Sequence, residues 1–461
     1  MSVCAAFMVP HPPMIIPAIG RGSEGKIKET IDAYDRVGRA VSSISPETIV
    51  ILSPHATMYA DYFHISPGMS AKGSFRPFGA PQVKFQENYD TDLIAEICRL
   101  ANERDFPAGT LGERESSLDH GTMVPLWFIR KYYKGGNIVR IGLSGLPLTD
   151  HYRLGMMLKE AVENTGRKTV IIASGDLSHK LQEYGPYGFS KEGLDYDRRI
   201  MDIMGRAAFR ELFDFDEAFC EKAAECGHRS FVIMAGVFDR TRVSAKVLSH
   251  QDVTGVGYGI CTFYPDDTDD GRNILVQYEE ELYLQLEEKR RNQDAYVRLA
   301  REAIEAWVQK RQEIQPSVDI PEEMLHTRAG AFVSIHKNGA LRGCIGTTAP
   351  TRKNLAQEII ENAESAATRD PRFSPITEDE LPWLDISVDV LGTPEEIGSP
   401  DELDVKRYGV IVSSGRKRGL LLPDLSGVDT VEQQISIAMK KGGIRKNEPV
   451  RLQRFEVVRH Y

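Results

Sequence analysis

Four short runs set the frame for the first 265 residues: CAAFMVP, TIVILSPHA, NIVRIGLS and KTVIIASGDLSH. Each is apolar, rich in β-branched residues, and closed by Pro, Gly, Ser or Asp. Between them lie stretches with helical spacing, such as TDLIAEICRLANER and HYRLGMMLKEAVENTG. Strands that are apolar on both faces must be covered on both sides. The alternation therefore predicts an α/β domain whose central, mostly parallel or mixed sheet is flanked by helices. SAKVLSHQDVTGVGYGICTFYP reads as closing strands, with glycines that admit close backbone approach.

The pattern breaks at YPDDTDDGRN, an acidic, turn-rich stretch followed by the charged helical run YEEELYLQLEEKRR. Two domains suit a chain of 461 residues. The expected division is residues 1–265, an acidic linker with a charged helix at 266–289, and a second domain at 290–461. That second domain reads as α+β. GAFVSIHKNGALRGCIGT is a hairpin turning at Asn338-Gly339, RKNLAQEIIENAESAATR is a helix, and WLDISVDVLG and YGVIVSSGRKRGLLLP supply further strands.

A formal net charge of -10 argues against general affinity for nucleic acid or anionic membranes. No apolar run approaches the roughly 20 residues that span a bilayer, and without a basic region leading into a long apolar stretch no secretory signal is expected. The six cysteines (Cys4, Cys98, Cys220, Cys226, Cys261 and Cys344) contain no CxxC pair. Reduced thiols and a cytoplasmic location are the expectation.

Four histidines stand where a strand or loop turns. His11 follows FMVP and lies between Pro10 and Pro12, and His55 follows TIVILSP. Proline ends a strand and stiffens the chain, so both imidazoles are held at strand exits. His120 sits in LDHGTMVPLWF and His179 closes IIASGDLSH. Chemistry in α/β sheets collects beyond the carboxyl ends of strands, and paired imidazoles suit a transition metal. ECGHRSFVIMAGVF offers Glu225 as a third donor at the mouth of a buried segment, unless Glu225 is a solvated helix residue. Two histidines and a carboxylate form the set of non-haem Fe(II) oxygenases.

VPHPPMIIP, SPHA, DHGTMVPLWF, SGDLSH and ECGHRSFVIMAG, in that order, resemble the class III extradiol ring-cleavage dioxygenases of the LigB type, whose fold Memo-like proteins share. The resemblance spans roughly residues 1–265. It implies Fe(II) held by His11, His55 and Glu225, with Cys226 as the rival third ligand of the Memo branch. It also implies that His179 and His120 act as acid/base groups, His120 being oriented by Asp119. Zn(II) and copper are alternatives for the same donors. A small aromatic substrate and O2 follow from the resemblance, and Tyr59, Tyr62, Tyr187 and Trp127 are pocket-lining candidates, each set against ordinary packing.

Residues 290–461 resemble the AMMECR family through LRGCIGT, ESAATRDPRF and WLDISVDVLGTPEEI. Arg342, Cys344, Arg369, Asp370 and Arg372 are the site candidates there, with Cys344 expected to be a buried, inert thiol. The fusion resembles the AmmeMemoRadiSam set. No CxxxCxxC motif is present, so a radical SAM enzyme would be a separate partner.

Two functions follow as expectations. One is an Fe(II)-dependent, extradiol-type oxidoreductase; the other is a metal-binding accessory protein that works beside a radical SAM enzyme. A zinc hydrolase stands third. Homo-oligomerisation is left open.

Overall fold

The computed structural model describes residues 3–114, 117–316, 319–425 and 427–461. The chain divides into two compact units after Tyr278.

The first unit is built on strands β1 (Val3–Val9), β2 (Thr48–Ser53), β3 (Asn137–Gly142), β4 (Thr169–Ser174), β5 (Thr241–Gln251) and β6 (Tyr258–Thr268). They form one mixed sheet in the order β3-β2-β4-β1-β6-β5. The four strands from β3 to β1 run parallel, and β6 and β5 close the sheet antiparallel. Every residue of β2 and of β4 is buried, as a sheet covered on both faces requires.

The covering helices are α1 (Lys28–Ile44), α2 (Thr91–Glu103), α3 (His120–Tyr132), α4 (Leu148–Thr165), α5 (Lys191–Arg206) and α6 (His228–Val237). Their apolar positions join the strands in one continuous core. An antiparallel hairpin, Ser70–Phe75 with Ala80–Asn88, stands apart from the sheet. A longer helix, α7 (Ile274–Asn292), contains the division between the units.

In the second unit, α8 (Ala295–Lys310) is capped by Asp294, whose carboxylate accepts from the N–H groups of Tyr296 and Val297. It buries Val297, Ala300, Ala303 and Ile304 along one face. Strands β7 (Ala331–Lys337) and β8 (Ala340–Gly346) pair antiparallel. The turn between them has positive φ at both Asn338 (53°) and Gly339 (78°), the combination a two-residue hairpin favours. After α9 (Leu355–Thr368) come β9 (Leu384–Leu391), β10 (Tyr408–Ser414), β11 (Lys417–Leu421), α10 (Val431–Lys441) and β12 (Arg451–His460). The curled antiparallel sheet has the order β8-β7-β9-β12-β10-β11, with Glu395–Ile397 also on β12. One core lies where α8 and α9 cover this sheet, and another lies beneath α10. Among the described residues no helix is long and apolar enough to cross a membrane.

Candidate metal centre

Because β4 lies between β1 and β2, the carboxyl ends of these three parallel strands are neighbours. His11 leaves β1, His55 follows β2, and the segment from Ser174 to His179 follows β4. The strand order thus gathers side chains far apart in sequence into one crevice.

His11 is the buried anchor, 1% exposed. Its backbone N–H donates to Asp176 Oδ1 at 2.7 Å, tying the exit of β1 to that of β4. Its ring is oriented as well. The Gly121 carbonyl can only accept, so the Ser174 hydroxyl donates to it at 2.7 Å. The Ser174 oxygen must then accept from His11 Nδ1–H, which lies 3.0 Å away. That leaves the lone pair on His11 Nε2, facing the crevice.

His55 Nε2 stands 2.9 Å from His11 Nε2, and Cys226 Sγ stands 3.6 Å from it. The three donor atoms all lie within 4.8 Å of one another. Two imidazole nitrogens at 2.9 Å repel unless a proton or a cation lies between them. Burial, and then His55, His120 and His179, hold His11 well below the usual imidazole range. It is neutral at pH 7, as a metal ligand must be. Burial, followed by the Asp176 and Glu225 carboxylates, pushes the Cys226 thiol well up. A bound cation reverses that effect, and the Asp176 N–H already donates to the sulfur at 3.3 Å.

The structure thus brings Cys226, not Glu225, to the two imidazoles. The Glu225 carboxylate accepts from the His228 N–H at 2.6 Å, at the start of α6, and from the Tyr196 hydroxyl at 3.4 Å. Burial raises it to about 7. Helix entry accounts for this: α6 begins at His228 with Gly227 as its N-cap, which has no side chain to offer, and the Glu225 carboxylate two residues earlier accepts from the first helical N–H instead. The chain passes the exit of β4 at the contact of Gly175 with Gly227, where a Cβ on Gly175 would stand 2.1 Å from Gly227 Cα. Only two glycines let Cys226 come this close.

His120 and His179 flank the donors. The His120 ring lies 3.9 Å from that of His55 and 5.4 Å from that of His11. Burial and His55 take both His120 and His179 down to about 4. His179 Nε2 is 3.9 Å from Asp176 Oδ2, and Tyr187 stacks on its ring at 5.1 Å. The exposed Phe78 ring sits 5.3 Å from His120. Of the other aromatic candidates, Tyr59 and Tyr62 accept from the N–H groups of Glu113 and Leu111, and Trp127 packs on Phe128. Asp176 and Ser174 are the residues that sequence reading missed as supports of the site. The signal was the SGD triplet directly after a buried strand.

The charged second-unit candidates are mostly engaged within the fold. Arg342 grips both oxygens of Glu380 at 3.0 and 2.9 Å and donates to the Ser374 carbonyl. Asp370 accepts from the Cys344 N–H at 2.8 Å and from Arg372 at 3.0 and 2.7 Å. Arg369 pairs with Glu361 on the surface. Cys344 is half-buried and accepts from the Ser334 hydroxyl at 3.3 Å. These contacts fasten residues 370–380 along β8, at the edge of the sheet.

A stability prediction follows. Burial works to raise Glu380, but Arg342 and Lys337 outweigh it and hold the carboxyl at about 2. A depressed carboxylate contributes stability above its unfolded pKa, near 4.3, and loses it as pH falls through its folded value. Arg342→Met should therefore cost the second unit about 2–4 kcal/mol at pH 7. The difference from wild type should shrink as urea denaturation is repeated from pH 5 towards pH 2.

Comparison with known proteins agrees with this architecture. The family described as the catalytic LigB subunit of aromatic ring-opening dioxygenase matches residues 5–261. AMMECR1 matches residues 297–460. Protein CA_C1420 of Clostridium acetobutylicum is 39% identical over 468 residues, covering 100% of this chain and 99% of its own length. A Thermotoga maritima protein is 52% identical over 167 residues, which is 36% of this chain and 96% of that protein. The crystal structure of uncharacterized protein PH0010 from Pyrococcus horikoshii is 33% identical with a TM-score of 0.34, covering 36% of this chain and 88% of its own. Because the LigB model covers residues 5–261, more than half of the chain, and a relative matches along the full length, the chain belongs to the LigB family, its dioxygenase-like domain fused to a C-terminal AMMECR1 domain.

Proposed function

We propose that the N-terminal domain is a metal-dependent oxidoreductase centre for a small phenolic substrate, its ion held by His11, His55 and Cys226. The convergence of those three donors within 4.8 Å carries the reading. LigB-type proteins bind Fe(II) through two histidines and a carboxylate, and that set does not fit here, because Glu225 is engaged at the start of α6. A thiolate beside two imidazoles fits copper or zinc ahead of Fe(II). Bound copper would supply one-electron chemistry.

The chain's own residues do the rest. His55 is the exposed donor, so a substrate arrives from its side. His120 and His179 are neutral at pH 7, because burial and His55 take both to about 4, so each offers a lone pair that can accept a hydrogen bond from a phenolic hydroxyl. Phe78 and Tyr187 give each of these imidazoles an aromatic neighbour against which a flat ring can lie.

Metal analysis of protein purified from its native host tests this reading. One equivalent of copper, together with oxygen uptake on a panel of phenols and catechols, is the expected result. Protein without a bound ion would overturn it. Stoichiometric zinc with no oxygen uptake would favour a second reading, an accessory role beside a separate radical SAM enzyme. That role is suggested by the thiol in the carboxylate's place and would show as copurification of such a partner.

A further inference from the structure

Arg140 stands in the middle of β3, among Ile138, Val139 and Ile141, and is only 4% exposed. A guanidinium there is costly unless it is fully partnered. Its Nε donates to Ser66 Oγ at 2.7 Å and its Nη1 to the Ser117 carbonyl at 2.7 Å. Nη1 also lies 3.5 Å from Asp119 Oδ2.

Asp119 is the node of this network. Its Oδ1 accepts from the Thr122 N–H at 2.9 Å, capping α3, and from the Ser53 hydroxyl at 2.6 Å. Its Oδ2 accepts from the Thr122 hydroxyl at 2.8 Å. Ser53 is the last residue of β2, and its oxygen accepts from the His55 N–H at 3.3 Å. One carboxylate therefore grips the strand end that carries His55 and the helix start that carries His120. Gly121 permits the approach, since a Cβ there would meet Ser53 Oγ at 2.4 Å.

We propose that Arg140 is a positioning residue for the metal centre, setting the direction of His55 and its spacing from His120 through Asp119. The inference rests on the reading of His11, His55 and Cys226 as ligands. A helix cap needs only the Thr122 contacts. The contact to Ser53 is what reaches the ligand, and the Arg140 charge holds the carboxylate in the orientation that makes both. Without that charge, the part-buried carboxylate keeps only neutral donors and is free to turn away from Ser53.

The test uses the full chain with Co(II) and Zn(II) as probes, in competition with a chelator. The variants are Arg140→Met, Arg140→Lys and the double variant Asp119→Asn/Arg140→Met. Arg140→Met should weaken affinity about 10- to 100-fold and alter the visible Co(II) spectrum. Arg140→Lys, with the charge but not the fork, should fall in between. The double variant buries no unpaired charge, so it should regain apo-protein stability without regaining affinity, and it carries the test where Arg140→Met fails to fold. Wild-type affinity and spectrum in either Met variant would overturn the proposal and leave Arg140 a structural ion alone. A wild-type chain that takes up neither ion would overturn the metal centre itself, and the role of Arg140 with it.

Discussion

Cys226→Ser should weaken binding of thiophilic ions by roughly 100- to 1,000-fold, while Glu225→Gln should leave affinity within about threefold of wild type. The first figure follows from the roughly 10–16 kcal/mol with which small zinc-peptide sites hold their ion, shared among a few donors. Replacing the sulfur with a hydroxyl removes the soft donor and leaves two imidazoles at one side of the ion. Only the sulfur sits with His11 Nε2, at 3.6 Å. The Glu225 carboxylate takes its hydrogen bonds from His228 and Tyr196. Glutamine keeps an acceptor for both of those bonds and removes a carboxylate that burial already holds near 7. Chelator competition with both variants separates the two donors. A loss in Glu225→Gln, with Cys226→Ser unaffected, would restore the carboxylate as third ligand.

Gly175→Ala should cost the N-terminal domain about 3 kcal/mol and, at the same time, most of its metal affinity. The added methyl would stand 2.1 Å from Gly227 Cα and 3.0 Å from Gly227 N. These are backbone atoms, which cannot swing aside as a side-chain tip can. The exit of β4 and the Cys226 loop would have to separate, stretching the contacts of Asp176 with His11 and with Cys226 Sγ. Urea denaturation reads the stability and chelator competition reads the affinity. If both stay near wild type, the close passage at Gly175 and Gly227 does not set the position of Cys226.

Much of the first domain was legible because its signals are local. Proline ends strands wherever it falls, so Pro10 and Pro54 announced that the neighbouring imidazoles sit at strand exits. The Asn338-Gly339 pair announced its turn because few other dipeptides take positive φ twice. Other features depend on geometry that no periodicity encodes. Glu225 and Cys226 are adjacent on a turning chain, and which one faces the imidazoles is decided by the position of α6 and by a contact between glycines 52 residues apart in sequence. Nothing in NIVRIGLS marks the use made of Arg140, because its partners at Ser66, Ser117 and Asp119 come from distant loops. In the second domain, Arg342 and Asp370 stand out in sequence, and chemistry and structural fastening require the same charged residues. Only their partners, Glu380 and Arg372, show which use is made of them. The acidic DDTDD stretch reads as a linker, yet β6 runs on to Thr268, where its backbone pairs with Thr241.

Metal-edge X-ray absorption on the loaded wild-type chain tests the His11–His55–Cys226 centre most directly. One sulfur scatterer at about 2.3 Å together with imidazole nitrogens near 2.0 Å is the expected first shell. A shell of nitrogen and oxygen alone, unchanged in Cys226→Ser, would contradict the assignment.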